Sequence, residues 1–108
     1  MKYHTRDEGN YTIIALTGDV DLNYSPRARE QILQQLSDRR HVLVDLSGVA
    51  YIDSSGIASL IEGLQYAKNN HLSFGLVGVS PAAHQVIQLA RLDRVFKIYE
   101  TVEDALTN

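Results

Sequence analysis

The sequence predicts an α/β protein: a mostly parallel mixed sheet of about five strands, with an antiparallel N-terminal edge strand and about four helices. Three observations lead there. Short β-rich runs alternate with stretches of helical periodicity, an order that implies crossover connections and parallel pairing. The run Val42-Leu43-Val44-Asp45-Leu46 is almost unbroken in apolar character, as in a strand covered on both faces. The first two β-rich runs are separated only by Gly9-Asn10, too short a connection for anything but an antiparallel hairpin.

The elements follow in order. Residues 2–8 form a candidate edge strand carrying Tyr3 and Thr5, and residues 11–17 a second strand closed by Gly18-Asp19-Val20-Asp21. Ser25-Pro26 reads as a helix start, with Ser as cap and Pro first in the helix. Ala28, Ile32 and Leu36 give its buried stripe, and it is expected to end near Asp38. The strand at 42–46 leads through a loop at 47–55 into a helix starting near Ser55 and stopping at Asn69-Asn70. In that helix Ile57, Leu60, Ile61 and Leu64 fall at i, i+3, i+4 and i+7 and share one core-facing stripe. Residues 72–77 alternate as a strand. Ser80-Pro81 repeats the cap signal before a face of Ala83, Val86, Ile87 and Ala90. Residues 95–99 make the last strand. Thr101 caps a last helix whose Glu103 and Asp104 suit its first turn, with Val102, Ala105 and Leu106 packing inward.

Composition bounds the function. A chain of 108 residues with 44% apolar content suits one packed domain, expected to span residues 1–108. No apolar run approaches the roughly 20 residues of a membrane span, and the start MKYHTRDEG lacks a signal-peptide pattern, so a cytoplasmic protein without membrane insertion is expected. The absence of cysteine excludes disulfides, thiolate metal sites and thiol catalysis. A formal net charge of −3, with scattered Lys and Arg, argues against a nucleic-acid partner.

Function is expected where the functional loops of such sheets lie, beyond the carboxyl ends of the strands. Residues 19–24, 47–55 and 78–80 are expected to share that surface. Asp53-Ser54-Ser55-Gly56 stands at the mouth of the central helix, beside backbone N–H groups that lack helical partners, a place that favours negative charge including phosphate. Serine is also a preferred cap, and from the helix signal alone that structural role is the favoured one for Ser54 and Ser55. Asp21 and Asp53 could in principle hold a cation, yet solvated loop carboxylates explain them better. The histidines His4, His41, His71 and His84 are dispersed, without zinc-like spacing, and are read as surface residues. Tyr24, Tyr51 and Tyr66 are read as the edge of the core, the commoner role for an amphipathic ring. A serine-hydrolase elbow is missing its first glycine, the acidic pair and aspartate of a receiver domain are not matched, and no glycine-rich phosphate loop appears.

Taken together, Gly18-Asp19-Val20-Asp21, Val44-Asp45-Leu46-Ser47, Tyr51-Ile52-Asp53-Ser54-Ser55-Gly56-Ile57 and Val77-Gly78-Val79-Ser80-Pro81 resemble the STAS domain, and most resemble its stand-alone anti-sigma factor antagonists. The similarity runs the length of the chain, through Leu92-Asp93-Arg94-Val95-Phe96 and Ala105-Leu106. It implies a bacterial partner-switching protein with no catalytic residue, cofactor or metal of its own. In that family the serine after the motif's aspartate is phosphorylated by an anti-sigma factor with serine kinase activity, and a serine phosphatase reverses it. Carried over by position, this implicates Ser54 as the phosphorylated residue, and Asp21, Asp53, Ser54, Ser55 and Gly56 as the partner-binding set. The unphosphorylated form is then expected to bind the anti-sigma kinase and release its target. A second expectation for the same fold is a constitutive STAS subunit docking on the ATPase of a membrane transport complex, and an enzyme ranks third. The chain departs from the family pattern at Asn70-His71, where many members have glycine, and at Arg91, where a small residue is common.

Overall fold

A computed structural model describes residues 1–107. The chain folds as β1 (Lys2–Glu8), β2 (Tyr11–Val20), α1 (Ser25–Ser37), β3 (His41–Ile52), α2 (Ser54–Asn69), β4 (Phe74–Val77), α3 (Pro81–Leu89), a 3-10 turn (Leu92–Arg94), β5 (Ile98–Tyr99) and α4 (Val102–Thr107). One five-stranded sheet is ordered β1-β2-β3-β4-β5, antiparallel between β1 and β2 and parallel thereafter.

Each parallel strand lies beside its predecessor, so right-handed crossovers place α1, α2 and α3 on the same face of the sheet. There Ile14, Leu16, Val42, Val44 and Leu46 meet Ala28, Ile32, Leu36, Ile57, Leu60 and Ile87, all buried. The opposite face carries a small second core of Ile13, Leu43 and Val77 under Ala105 of α4. Val42, Val44 and Leu46 of β3 enter the first core and Leu43 the second, which is why this part of its sequence is almost continuously apolar. Asp7 of β1 accepts from the Thr12 hydroxyl at 3.0 Å and pairs with Arg40 at 2.6 Å, tying the hairpin to the start of β3. Arg29 and Glu62 pair α1 with α2.

Several boundaries differ from those expected. The strand placed at 42–46 continues to Ile52. Residues taken as a loop pair instead with β2, Thr17 with Gly48, Asp19 with Tyr51 and Val20 with Ile52, after register shifts between Ala15 and Thr17 and between Gly18 and Asp19. The bulges break the two-residue alternation that would have revealed the extension. The residue capping α1 is Tyr24, without a side-chain bond. Ser25 lies inside the helix, buried, and its carbonyl accepts from the Ser59 hydroxyl of α2 at 3.1 Å. β4 begins at Phe74 rather than at residue 72, and β5 is only Ile98–Tyr99 because Leu92 to Phe96 coil into the 3-10 turn. Ile61 is half-buried while Ile57, Leu60 and Leu64 are buried.

The two later caps are as expected. Thr101 accepts from Asp104 N at 3.1 Å. Ser80 accepts from Ala83 N at 3.2 Å and also donates to the Val49 carbonyl at 2.7 Å, so one buried hydroxyl both starts α3 and fixes the extended part of β3. Replacing Ser80 by Ala removes the cap and orphans a buried carbonyl. A loss of about 2–3 kcal/mol in urea unfolding is expected; a loss under about 0.5 kcal/mol would show that the double bond does not matter.

His41 is half-buried, its Nδ1 accepting from Ser73 N at 3.0 Å, so it joins β3 to the approach to β4 instead of lying free on the surface. His84 is half-buried, and His4 and His71 are exposed.

Candidate functional site: the Asp21 and Asp53–Gly56 surface

The bulged extension of β2 and β3 carries two loops side by side beyond the carboxyl ends of the strands. Asp53 N donates to the Val20 carbonyl at 3.4 Å where the two strands end. The loop after β2 turns at Asp21, whose carbonyl accepts from Tyr24 N at 3.0 Å and Ser25 N at 2.7 Å and whose Oδ1 accepts from Asn23 N at 3.0 Å. The short side chain of aspartate thus closes its own turn.

Asp53 is the residue that caps α2. Its Oδ1 accepts from Ser55 N at 2.9 Å, Gly56 N at 3.1 Å and the Ser55 hydroxyl at 2.5 Å. The Ser55 hydroxyl, and with it the Gly56, Ser55 and Leu22 backbone N–H groups, hold the Asp53 carboxyl below its ordinary value against the opposing effect of burial. The helix mouth is therefore not an open anion site as the sequence suggested, because the protein's own carboxylate takes two of its N–H groups.

This arrangement separates the two serines. Ser55 spends its hydroxyl on Asp53. Ser54, first residue of α2, is exposed, and among the described residues its hydroxyl has no hydrogen-bond partner. Gly56 is buried where α2 crosses the strand ends, and a Cβ there would lie 2.6 Å from both the Val20 carbonyl oxygen and Ile52 Cγ1. Of the third loop, Gly78 to Ser80, the serine is buried in the structural role described above.

The loop after β2 and the end of β3 also expose apolar side chains. Leu22 is 74% exposed, Tyr51 52% and Tyr24 41%, and Asp19 pairs across the strands with Tyr51. The two tyrosines are thus not the core-edge residues expected, because Tyr51 lies on the part of β3 that extends past β4 and Tyr24 caps α1 from outside. Leu22 was not singled out from sequence. Its signal was an apolar residue inside a polar turn, Asp21-Leu22-Asn23, with no helical or strand period to bury it. Among the described residues no group of three or more His, Asp or Glu side chains gathers to hold a metal, and no helix is long and apolar enough to cross a membrane.

Comparison with known proteins agrees with this architecture. The STAS domain model matches residues 2–105. The chain belongs to the STAS domain family. It is 28% identical over 102 residues to the anti-sigma-F factor antagonist RsfB of Mycobacterium tuberculosis, covering 94% of this chain and 83% of that one. It is 24% identical over 97 residues to the anti-sigma F factor antagonist of Paenibacillus polymyxa, covering 88% of this chain and 83% of the other. The crystal structure of an anti-sigma factor antagonist from Mycobacterium paratuberculosis superposes with a TM-score of 0.84 at 27% identity, over 98% of this STAS chain and 91% of that chain.

The depressed carboxyl of Asp53 makes α2 sensitive to acid. A group whose pKa is lower folded than unfolded contributes fully above its unfolded value and loses that contribution as pH falls through the folded one. Asp53→Ala is therefore expected to unfold at lower temperature than wild type at pH 7, with the gap narrowing once the pH drops below the ordinary carboxyl value of 3.8. Thermal scans of both proteins across that range check it, and a gap that widens in acid would contradict the assignment.

Proposed function

We propose that this STAS protein is an anti-sigma factor antagonist whose switch is Ser54. Unphosphorylated, it binds a cognate anti-sigma factor with serine kinase activity through Asp21, Asp53, Ser54, Ser55 and Gly56, and that binding releases the factor's target. Phosphorylation of Ser54 ends the interaction, and a serine phosphatase restores it. The names of the relatives support the role. The observation that carries the switch is the contrast at the helix mouth, an exposed and unbonded Ser54 beside a carboxylate that already uses the Ser55 and Gly56 N–H groups.

The physics follows from that contrast. A phosphate adds about −1.5 to −2 charges at neutral pH. On Ser54 it projects outward, so no buried contact of the fold is disturbed. The same charge lies next to Asp53, at the end of the strands where Leu22, Tyr24 and Tyr51 are exposed. An apolar partner surface packed there would have to desolvate a dianion, which costs several kcal/mol. The sequential strand order also supports a binding role. Ligand crevices of open α/β sheets form where strand order reverses, and the parallel part of this sheet has no such reversal.

The experiment is intact-mass and fragment analysis of the protein from its own cells, with and without phosphatase. A phosphate on Ser54 that changes with growth conditions is expected, and Ser54→Ala is the form with which to capture the kinase. A chain never modified, yet co-purifying with a transporter ATPase, would favour the constitutive subunit instead.

A further inference from the structure

A second surface lies at the opposite end of the parallel strands, by the edge strand β5. Ser54 follows the carboxyl end of β3, whereas residues 91–97 lead into the amino end of the parallel strand β5. Leu92 and Phe96 anchor this segment inward, Phe96 buried with its ring 6.4 Å from that of Phe74. The intervening side chains are turned out. Arg91, Arg94 and Lys97 are exposed, and none of them makes an ion pair among the described residues. Arg91 precedes the 3-10 turn, Arg94 ends it, and Lys97 follows it before β5.

Arg91 and Arg94 line a depression of about 290 Å³ with Gln88 and Asp93. Beside it Leu89 is 78% exposed and Val95 46%. Arg91 has φ 59°, a left-handed conformation that disfavours any side chain. This is one of the two places where the chain departs from the family pattern. A single cation beyond Ala90 would satisfy the C-terminal dipole of α3. Three cations against the one carboxylate of Asp93, on a protein of net charge −3 and next to two bare aliphatic side chains, exceed that need.

We propose that Arg91, Arg94 and Lys97, with Leu89 and Val95, form a second docking surface, for an acidic protein segment that carries an apolar side chain. Paired guanidinium groups suit carboxylates geometrically, since each can offer two parallel N–H bonds. The aliphatic pair gives the segment's apolar residue a place to be buried. A lipid surface fits less well, because two aliphatic side chains offer little to insert and the remainder of the chain is acidic. The site does not depend on the Ser54 reading. Because it lies across the sheet from Ser54, both surfaces can be occupied at once, and the protein can join two partners.

The test is a titration of the isotope-labelled full chain with a synthetic amphipathic peptide bearing Glu on one face and Leu on the other, followed by amide shifts. Saturable shifts are expected within residues 88–97, with Ser54 to Gly56 unmoved and affinity falling as salt rises. Arg94→Glu is expected to weaken binding by at least about tenfold. Arg91→Gly serves as the second variant: glycine accepts the left-handed φ, so the fold is retained while binding weakens. Shifts that are absent, that centre elsewhere, or that persist unchanged in both variants would overturn the proposal. So would the same amides moving with protein concentration alone, which would indicate a second copy, or binding to phosphatidylglycerol vesicles without any response to the peptide.

Discussion

Ser54→Asp is expected to weaken binding to the cognate anti-sigma factor about a hundredfold or more, which corresponds to about 2.8 kcal/mol. The same change should leave stability within about 0.5 kcal/mol, because Ser54 is exposed and, among the described residues, its hydroxyl has no hydrogen-bond partner. The pairing of a large binding loss with an unchanged melting temperature is what distinguishes a switch residue from a helix cap. Ser55→Ala is the internal contrast: it removes a hydroxyl that bonds Asp53, so its effect falls on stability. Calorimetric titration of purified partner against wild type and Ser54→Asp decides the matter. Equal affinities would remove Ser54 from the mechanism.

Gly56→Ala is expected to damage the fold although it adds a single methyl. The added methyl would stand 2.6 Å from the Val20 carbonyl oxygen and from Ile52 Cγ1. The carbonyl belongs to the strand end that also receives Asp53 N, so it cannot withdraw without opening that contact. Overpacking of this kind costs about 1–3 kcal/mol, read as an equal loss in urea unfolding. Since α2 must lift from the strands, Asp53 and Ser54 move with it, and partner binding should fall as well. A variant as stable as wild type would mean that the close crossing of α2 over the strand ends is not required.

Sequence legibility varied with the kind of physical evidence available. The helices α3 and α4 were clear because Ser80-Pro81 and Thr101 are caps with local geometry, and helical periodicity found Ala83, Ile87 and Ala105, while Ala90 and Leu106, expected to pack inward, are exposed at the helix ends. At α1 the same Ser-Pro pattern misled. Ser25 is taken into the helix and buried against α2, a tertiary effect no local rule contains. The extension of β3 was hidden because Ser47-Gly48 looks like a turn, and only pairing with β2 across two bulges makes it a strand. At the site, motif position singled out Asp53 and Ser54. The division of labour between Ser54 and Ser55 depends on which hydroxyl reaches Oδ1, and that appears only in three dimensions. His71 and Arg91 both take left-handed backbone, φ 57° and 59°, where glycine would be easier because it has no Cβ, and no local pattern around either residue announces that conformation.

The strand order has a consequence for biogenesis. Because every parallel strand adds beside the one before it, each βα unit can dock as soon as it leaves the ribosome, with little loop closure over long distances. The Asp21 and Ser54 surface is complete in sequence once Asn69 has been made, before β4 exists. The basic turn at 91–97 arrives last. A nascent chain would thus present the two proposed surfaces one after the other, and a truncated product would expose the first without the second.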